Sequence, residues 1–379
     1  MRIGWERRTA NMGNLEKRTA MTPTQFAFMF AVIGTGTAVL VMPATLVPVA
    51  AQHTWVSVLL GAGLYFLVSI IMIKLGDCFP GESIIEYLPR VCGSVLAVAT
   101  FVLFTAVLLV QSSVRVQSFG REIVFFMFDR TPIEIVILPF LIVCAYGAVQ
   151  DLGTIVRLSQ ALLFISAFPL LGLLLLSLIN VQAINFYPLW PINGMGILKG
   201  AIFSWPYYWG YEVLLMLLPA IDRQQTSLLT AVAGSFVFKI VLMLLAFIST
   251  VGSMTVAGVN NIIYPTLLAV RGIDLPGTFI ERLDNYLLLS WIPFGYITIV
   301  IWLYMASLIW SQYFGLRDHR PLVIVFVVIV YIASMAFHDF SRYLSMLKAS
   351  RALGVIFSVI VIPVIYAMAK WRSGRCSDG

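Results

Sequence analysis

Two stretches of the chain hold residues able to do chemistry: Gly34-Thr35-Gly36-Thr37, and Phe203-Ser204-Trp205-Pro206-Tyr207-Tyr208-Trp209-Gly210-Tyr211-Glu212. Each interrupts a long apolar run. Glycine weakens a helix by ~1 kcal/mol relative to alanine. Pro206 removes a helix hydrogen bond and clashes with the carbonyl of Ile202. An opened helix leaves backbone N–H and C=O groups that lipid cannot satisfy, so a break is tolerated where it lines a cavity or binds a ligand. N–H groups at the start of a half-helix carry partial positive charge and suit a carboxylate. Carbonyls at the end of the other half-helix suit an ammonium or a cation. Two such breaks at the midplane suit a zwitterion such as an amino acid. The candidate ligand-binding residues are Gly34, Thr35, Gly36 and Thr37 from the first break, and Phe203, Ser204, Tyr208 and Gly210 from the second. The competing reading is close helix packing, in which small residues and aromatics serve only the contact between helices.

Two ionisable residues fall deep within apolar runs. Glu212 lies about 12 Å from the inner end of its span, and Lys239 about 16 Å from the same side, at about 1.5 Å per residue. Ionisable groups at such depth point to a functional site. They are candidates for a gate or a proton-sensitive switch; the alternative is a structural Glu212–Lys239 pair. Arg115 and Arg157 lie near span ends, where a long side chain reaches the interface.

The elements that must carry these residues follow from composition. Of 379 residues, 60% are hydrophobic and only 11% charged, which no water-soluble core requires. The chain reads as an all-α polytopic membrane protein, without the alternating segments of a β-barrel. Hydropathy gives ten spans, approximately 24–51, 55–75, 94–118, 132–150, 156–179, 197–220, 228–257, 284–313, 321–337 and 352–371. Residues 1–21 form a basic tail, read as cytoplasmic and disordered, and lack the apolar core of a signal peptide. Residues 22–371 form one transmembrane domain, and 372–379 a short cytoplasmic tail. The basic residues favour both termini inside. Thr22-Pro23-Thr24-Gln25 opens the first helix with a capping box. Gly76 to Arg90 holds a short interfacial helix. Tyr264 to Val270 is a helix too short to span, lying over the outer mouth.

The four cysteines and three histidines are dispersed and form no metal or disulfide pattern. No HExxH, P-loop or GxSxG signature offers an enzyme a foothold, so no enzyme activity and no cofactor is expected. The positive balance of +7 sits in loops and tails and argues for membrane orientation, with no nucleic acid partner. Interruptions in spans one and six, the first members of two five-helix halves, are the mark of an inverted-repeat transporter fold.

The Gly34-Thr35-Gly36 break resembles the first helix of the amino acid–polyamine–organocation transporters. Trp209-Gly210-Tyr211-Glu212 resembles their sixth. Ala51-Gln52-His53-Thr54-Trp55-Val56-Ser57, Phe79-Pro80-Gly81 through Glu86-Tyr87, and Glu281-Arg282-Leu283-Asp284 with Trp291 are similar to the endospore germination permease family, the B subunits of Ger-type nutrient germinant receptors. That resemblance spans about residues 22–371. It implies a ten-helix, LeuT-like 5+5 fold with broken helices 1 and 6 in a spore inner membrane. It implies a small germinant, usually an amino acid, bound between helices one, three, six and eight. It implies an A subunit and a lipoprotein C subunit as partners. A proton-coupled amino acid transporter is the alternative function.

Overall fold

The computed structural model describes residues 21–128, 130–222, 227–273, 283–337 and 339–373. The expected tail before Met21, the last residues of the chain, and Glu281-Arg282 lie outside these. Helix α1 (Pro23–Val32) begins as expected: the Thr22 hydroxyl accepts from the Gln25 N–H at 3.2 Å, and the Gln25 side chain accepts from the Thr22 N–H at 3.0 Å. Helix α2 (Thr35–Ala50) follows directly, then α3 (Thr54–Asp77). The short α4 (Ile84–Cys92) is started by a Ser83–Glu86 capping box, with Ser83 N–H donating to Glu86 Oε2 at 2.7 Å. Helices α5 (Ser94–Phe126), α6 (Ile133–Ala148) and α7 (Leu152–Leu176) complete the first half.

The second half opens with α8 (Gly194–Ser204), capped by Asn193. Tight 3-10 turns and the four-residue α9 (Leu214–Leu217) follow. Then come α10 (Leu228–Val259), the short α11 (Pro265–Arg271), α12 (Leu283–Phe314), α13 (Arg320–Ala336), α14 (Phe340–Ile356) and α15 (Ile362–Ser373). A π-helical turn, Phe357–Val361, joins the last two. Among the described residues, six stretches are long and apolar enough to cross a membrane, and four shorter apolar helices accompany them. The chain is an all-α, multi-pass integral membrane protein.

Two elements run past their hydropathy limits. Helix α5 continues beyond 118 to Phe126, and the last helical stretch begins at Phe340 rather than near 352. The reason is the same in each. Arg121 and Glu122, and Arg342, Lys348 and Arg351, depress local hydropathy although the backbone stays helical. The residues from Arg342 to Arg351, expected in an outer connection, are therefore carried on α14.

Lipid is as apolar as leucine, so helices here associate through close contact of small residues and through hydrogen bonds. The α3–α8 seam shows this. A Cβ placed on Gly61 would fall 2.8 Å from the Ala201 carbonyl oxygen, and one on Gly200 would fall 2.5 Å from Ser57 Oγ. Ser57 Oγ donates across the seam to the Ile197 carbonyl at 2.9 Å. A valine at position 61 would force the seam apart. Helix α12 forms the centre: 83% of its most apolar window is buried, against 33–44% in the other long stretches.

Candidate ligand cavity at the helix breaks

The first break is made by a single residue. Gly34 has φ 75° and ψ −10°, a left-handed conformation that glycine adopts without a Cβ penalty. Its N–H, freed from helix bonding, donates to Thr298 Oγ1 of α12 at 3.0 Å. The carbonyl of Ile33, at the C-terminal end of α1, accepts from the Lys239 ammonium of α10 at 2.7 Å. A cation suits the negative end of the helix dipole. The same ammonium lies 5.0 Å over the Tyr211 ring, within cation–π range.

The second break begins after Ser204. Trp205–Tyr207 turn as a 3-10 segment, and Gly210 has φ 116°. The Gly210 N–H donates to Glu212 Oε2 at 2.9 Å. Glu212 Oε1 accepts from the Tyr65 hydroxyl, and from Ser358 Oγ at 3.0 Å. This buried carboxylate is thus held by three donors, from α3, from its own segment and from the π-helical turn. The two breaks touch: a Cβ on Gly210 would fall 2.3 Å from Ile33 Cγ2, and one on Gly34 would fall 3.5 Å from the carbonyl oxygens of Tyr207 and Trp209.

Against this contact lies a cavity of about 50 Å³. Thr37 and Val41 of α2 line one side, and Pro206, Tyr207 and Trp209 of the second break another. Helix α5 contributes Gln111, Val114, Arg115 and Ser118, and α14 contributes Tyr343, Leu347, Ser350 and Arg351. Positions 111, 115 and 118 follow helical spacing, so they share one face of α5. Several lining groups are already satisfied. Tyr207 donates to Thr45 Oγ1 at 2.8 Å, the Gln111 amide donates to the Ser350 carbonyl at 3.3 Å, and Ser118 and Tyr343 share a hydroxyl–hydroxyl bond.

A second, larger chamber of about 620 Å³ lies at the C-terminal end of α5, lined by Phe125, Phe126 and Met127 with Asn261–Tyr264, Leu268 and Arg271. Phe126 meets the Tyr264 ring edge-on, with centroids 5.3 Å apart. Glu122, one turn before Phe126 on the same face, is buried, and neither carboxylate oxygen has a hydrogen bond.

A family profile described as "Spore germination protein" matches residues 20–341. The chain belongs to the spore germination permease family. It is 27% identical over 321 residues to spore germination protein YndE of Bacillus subtilis (strain 168), covering 84% of this chain and 87% of that protein. It is also 27% identical over 359 residues to spore germination protein A2 of the same organism, covering 92% and 96%. Among solved structures, MhsT in complex with L-phenylalanine superposes with TM-score 0.69 at 12% identity, covering 93% of this chain and 90% of that one. Mhp1, a nucleobase-cation-symport-1 family transporter in a closed conformation with bromovinylhydantoin, superposes with TM-score 0.64 at 12% identity, covering 91% and 78%. The fold of this germination permease is therefore LeuT-like, with helices 1 and 6 broken: α1–α2, and α8 through α9. Its family and its fold neighbours are germination permeases and transporters, not enzymes.

Within the permease, the ten candidate residues divide. Thr37 lines the cavity and Gly210 sits in the second break beside it. Gly34 makes the first break, and Thr35 Oγ1 donates to the Ala31 carbonyl at 2.5 Å. The space in front of Gly36 is filled: a Cβ there would fall 2.6 Å from Trp291 Cδ1 and 2.9 Å from Phe294 Cβ. Phe203 is 41% exposed, Ser204 Oγ donates to the Ala201 carbonyl, and Tyr208 Oη donates to the Val58 carbonyl at 2.9 Å, so these three lie outside the cavity lining. Glu212 and Lys239 hold the two breaks separately and form no direct ion pair. Sequence reasoning missed Tyr65, Thr298, Ser358, Gln111 and Arg351. The only sequence signal among them was Arg351, a charge taken to end a span rather than to sit on one.

Proposed function

We propose that this permease is the nutrient-sensing subunit of a germinant receptor, and that it binds a small germinant, an amino acid, where its two broken helices meet. The observation that carries this reading is the cavity against the contact of the breaks, walled by α2, α5, α14 and the Trp205–Gly210 segment. Breaks of this kind bring polar backbone to a site that lipid would otherwise exclude. The resemblance to B subunits supports an A subunit and a lipoprotein C subunit as partners in a spore inner membrane. Residues 22–371 would then be the membrane domain, between a basic cytoplasmic tail and a short C-terminal one.

The test is deletion of the gene in its spore-former, followed by germination assays with individual amino acids and other single nutrients. Loss of response to at least one nutrient, restored by complementation, is expected. Normal germination in every nutrient that works for wild type would remove the reading. Proton-coupled amino acid transport is the second reading, favoured by Glu212 and Lys239 holding the two breaks. Uptake of labelled amino acid into proteoliposomes under a proton gradient separates the two.

A further inference from the structure

We infer that the cavity selects a small organic acid of net negative charge, an acidic amino acid or a dicarboxylate, over a neutral amino acid. This rests on the proposed ligand site and names the chemistry of its ligand. Two guanidinium groups, Arg115 and Arg351, line the cavity, and no carboxylate does; its volume of about 50 Å³ is room for about one or two waters, so an acid enters by parting the lining. Neither arginine has an ion pair or a side-chain hydrogen bond among the described residues. Arg115 lies 5.8 Å over the Trp302 ring, and Arg351 Nε is buried without an acceptor.

The buried side-chain atoms of the lining that lack partners have one sign. Arg351 Nε–H and Trp209 Nε1–H are both buried donors without partners, while the hydroxyls of Tyr207 and Ser118 and the Gln111 amide are bonded to protein. Buried donors without acceptors carry a desolvation penalty that an acceptor-rich ligand removes. A carboxylate meets a guanidinium with two parallel hydrogen bonds. Glu122, the one acid of α5, stands outside the lining and leaves two cations against one anion even when it is counted.

The carbonyl at the end of α1, which the break would offer to an ammonium, is already taken by Lys239 at 2.7 Å. A neutral zwitterion brings one carboxylate to two guanidinium groups, whereas a second carboxylate gives each arginine a partner.

The full chain, purified in detergent, is titrated by calorimetry with L-aspartate, succinate, L-asparagine and L-alanine. The inference expects aspartate or succinate to half-saturate at a concentration at least about tenfold below that of asparagine. Aspartate ahead of succinate identifies an acidic amino acid, and the reverse a dicarboxylate. Arg115→Gln and Arg351→Gln should each weaken binding of the acid about tenfold or more, with Arg351→Lys, which keeps the charge but not the paired hydrogen bonds, falling between wild type and Arg351→Gln. The ligand-free melting temperature of each variant controls for folding, and the wild-type panel decides the matter where a variant does not fold. Asparagine or alanine binding as tightly as both acids, no binding of either acid, or acid binding indifferent to both glutamine variants would overturn the inference. Neutral amino acid binding lost in Thr37→Val but kept in the arginine variants would leave the site standing and sink only the anion preference. Acid binding as expected, with normal germination of spores carrying Arg351→Gln, would sink the sensing role and leave the ligand chemistry intact.

Discussion

The Lys239 ammonium of α10 donates to the Ile33 carbonyl at 2.7 Å, closing the C-terminal end of α1 with a buried cation. Glu212, which the alternative reading paired with this lysine, is instead held by Tyr65, Ser358 and the Gly210 N–H. Each charge therefore stabilises one break, and the breaks meet through Ile33 and Gly210.

Lys239→Met should lower stability by about 1.5–3 kcal/mol, the worth of a hydrogen bond to a charged group. Because no direct pair exists, adding Glu212→Gln should not recover what Lys239→Met loses. Thermal unfolding of the purified variants, with immunoblots of spore membranes, measures this. A double variant more stable than either single one would show that the two charges do compensate each other.

Glu212→Gln should not be silent, although the two side chains are nearly isosteric. All three groups around this carboxylate are donors. A glutamine accepts through one oxygen and turns an NH2 group toward at least one of them. A cost of about 1–3 kcal/mol follows from the unsatisfied buried donor. Tyr65→Phe removes one of those donors, so the double variant should be less destabilised than the sum of the two. A double-mutant cycle on melting temperature reads the coupling. A strictly additive result would mean that the Tyr65 contact contributes nothing.

Gly210→Ala meets two obstacles. The backbone sits at φ 116°, and the new methyl would fall 2.3 Å from Ile33 Cγ2. Pairing it with Ile33→Ala relieves the clash and leaves the backbone strain of about 1–3 kcal/mol. The double variant should therefore recover part of the melting temperature lost by Gly210→Ala. No recovery at all would place the whole cost in the backbone.

The breaks themselves were legible because glycine and proline punctuate a helix by rules that hold in any surroundings. Gly34, Pro206 and Gly210 read correctly for that reason. Their partners were not legible. Tyr65, Thr298 and Ser358 come from α3, α12 and the π-helical turn, and nothing in their local sequence marks them as facing a break. Arg351 was hidden differently. Hydropathy averages over a window, so a helix that carries Arg342, Lys348 and Arg351 looks like a connection between spans. Phe203 shows the reverse failure: an aromatic beside a break suggested a pocket wall, but helical spacing turns it outward from α8, where it is 41% exposed.

Gly36 separates packing from binding most cleanly. The sequence offers its missing side chain as room for a ligand carboxylate, whereas Trp291 Cδ1 and Phe294 Cβ lie 2.6 Å and 2.9 Å from where a Cβ would stand. Cβ contacts this short cannot persist, so Gly36→Ala must push α2 away from α12. Overpacking of this kind costs about 1–3 kcal/mol. The germinant concentration for half-maximal response should stay within about twofold in the protein that does fold, because the added methyl faces α12 rather than the cavity. Trp291→Phe frees part of the space and should return some of the lost stability in the double variant, although it gives up indole contacts such as the stack with Phe119. Spore-membrane abundance, melting temperature and dose response are measured on the same preparations. A tenfold shift in dose response at wild-type melting temperature would turn Gly36 back into a ligand-facing residue.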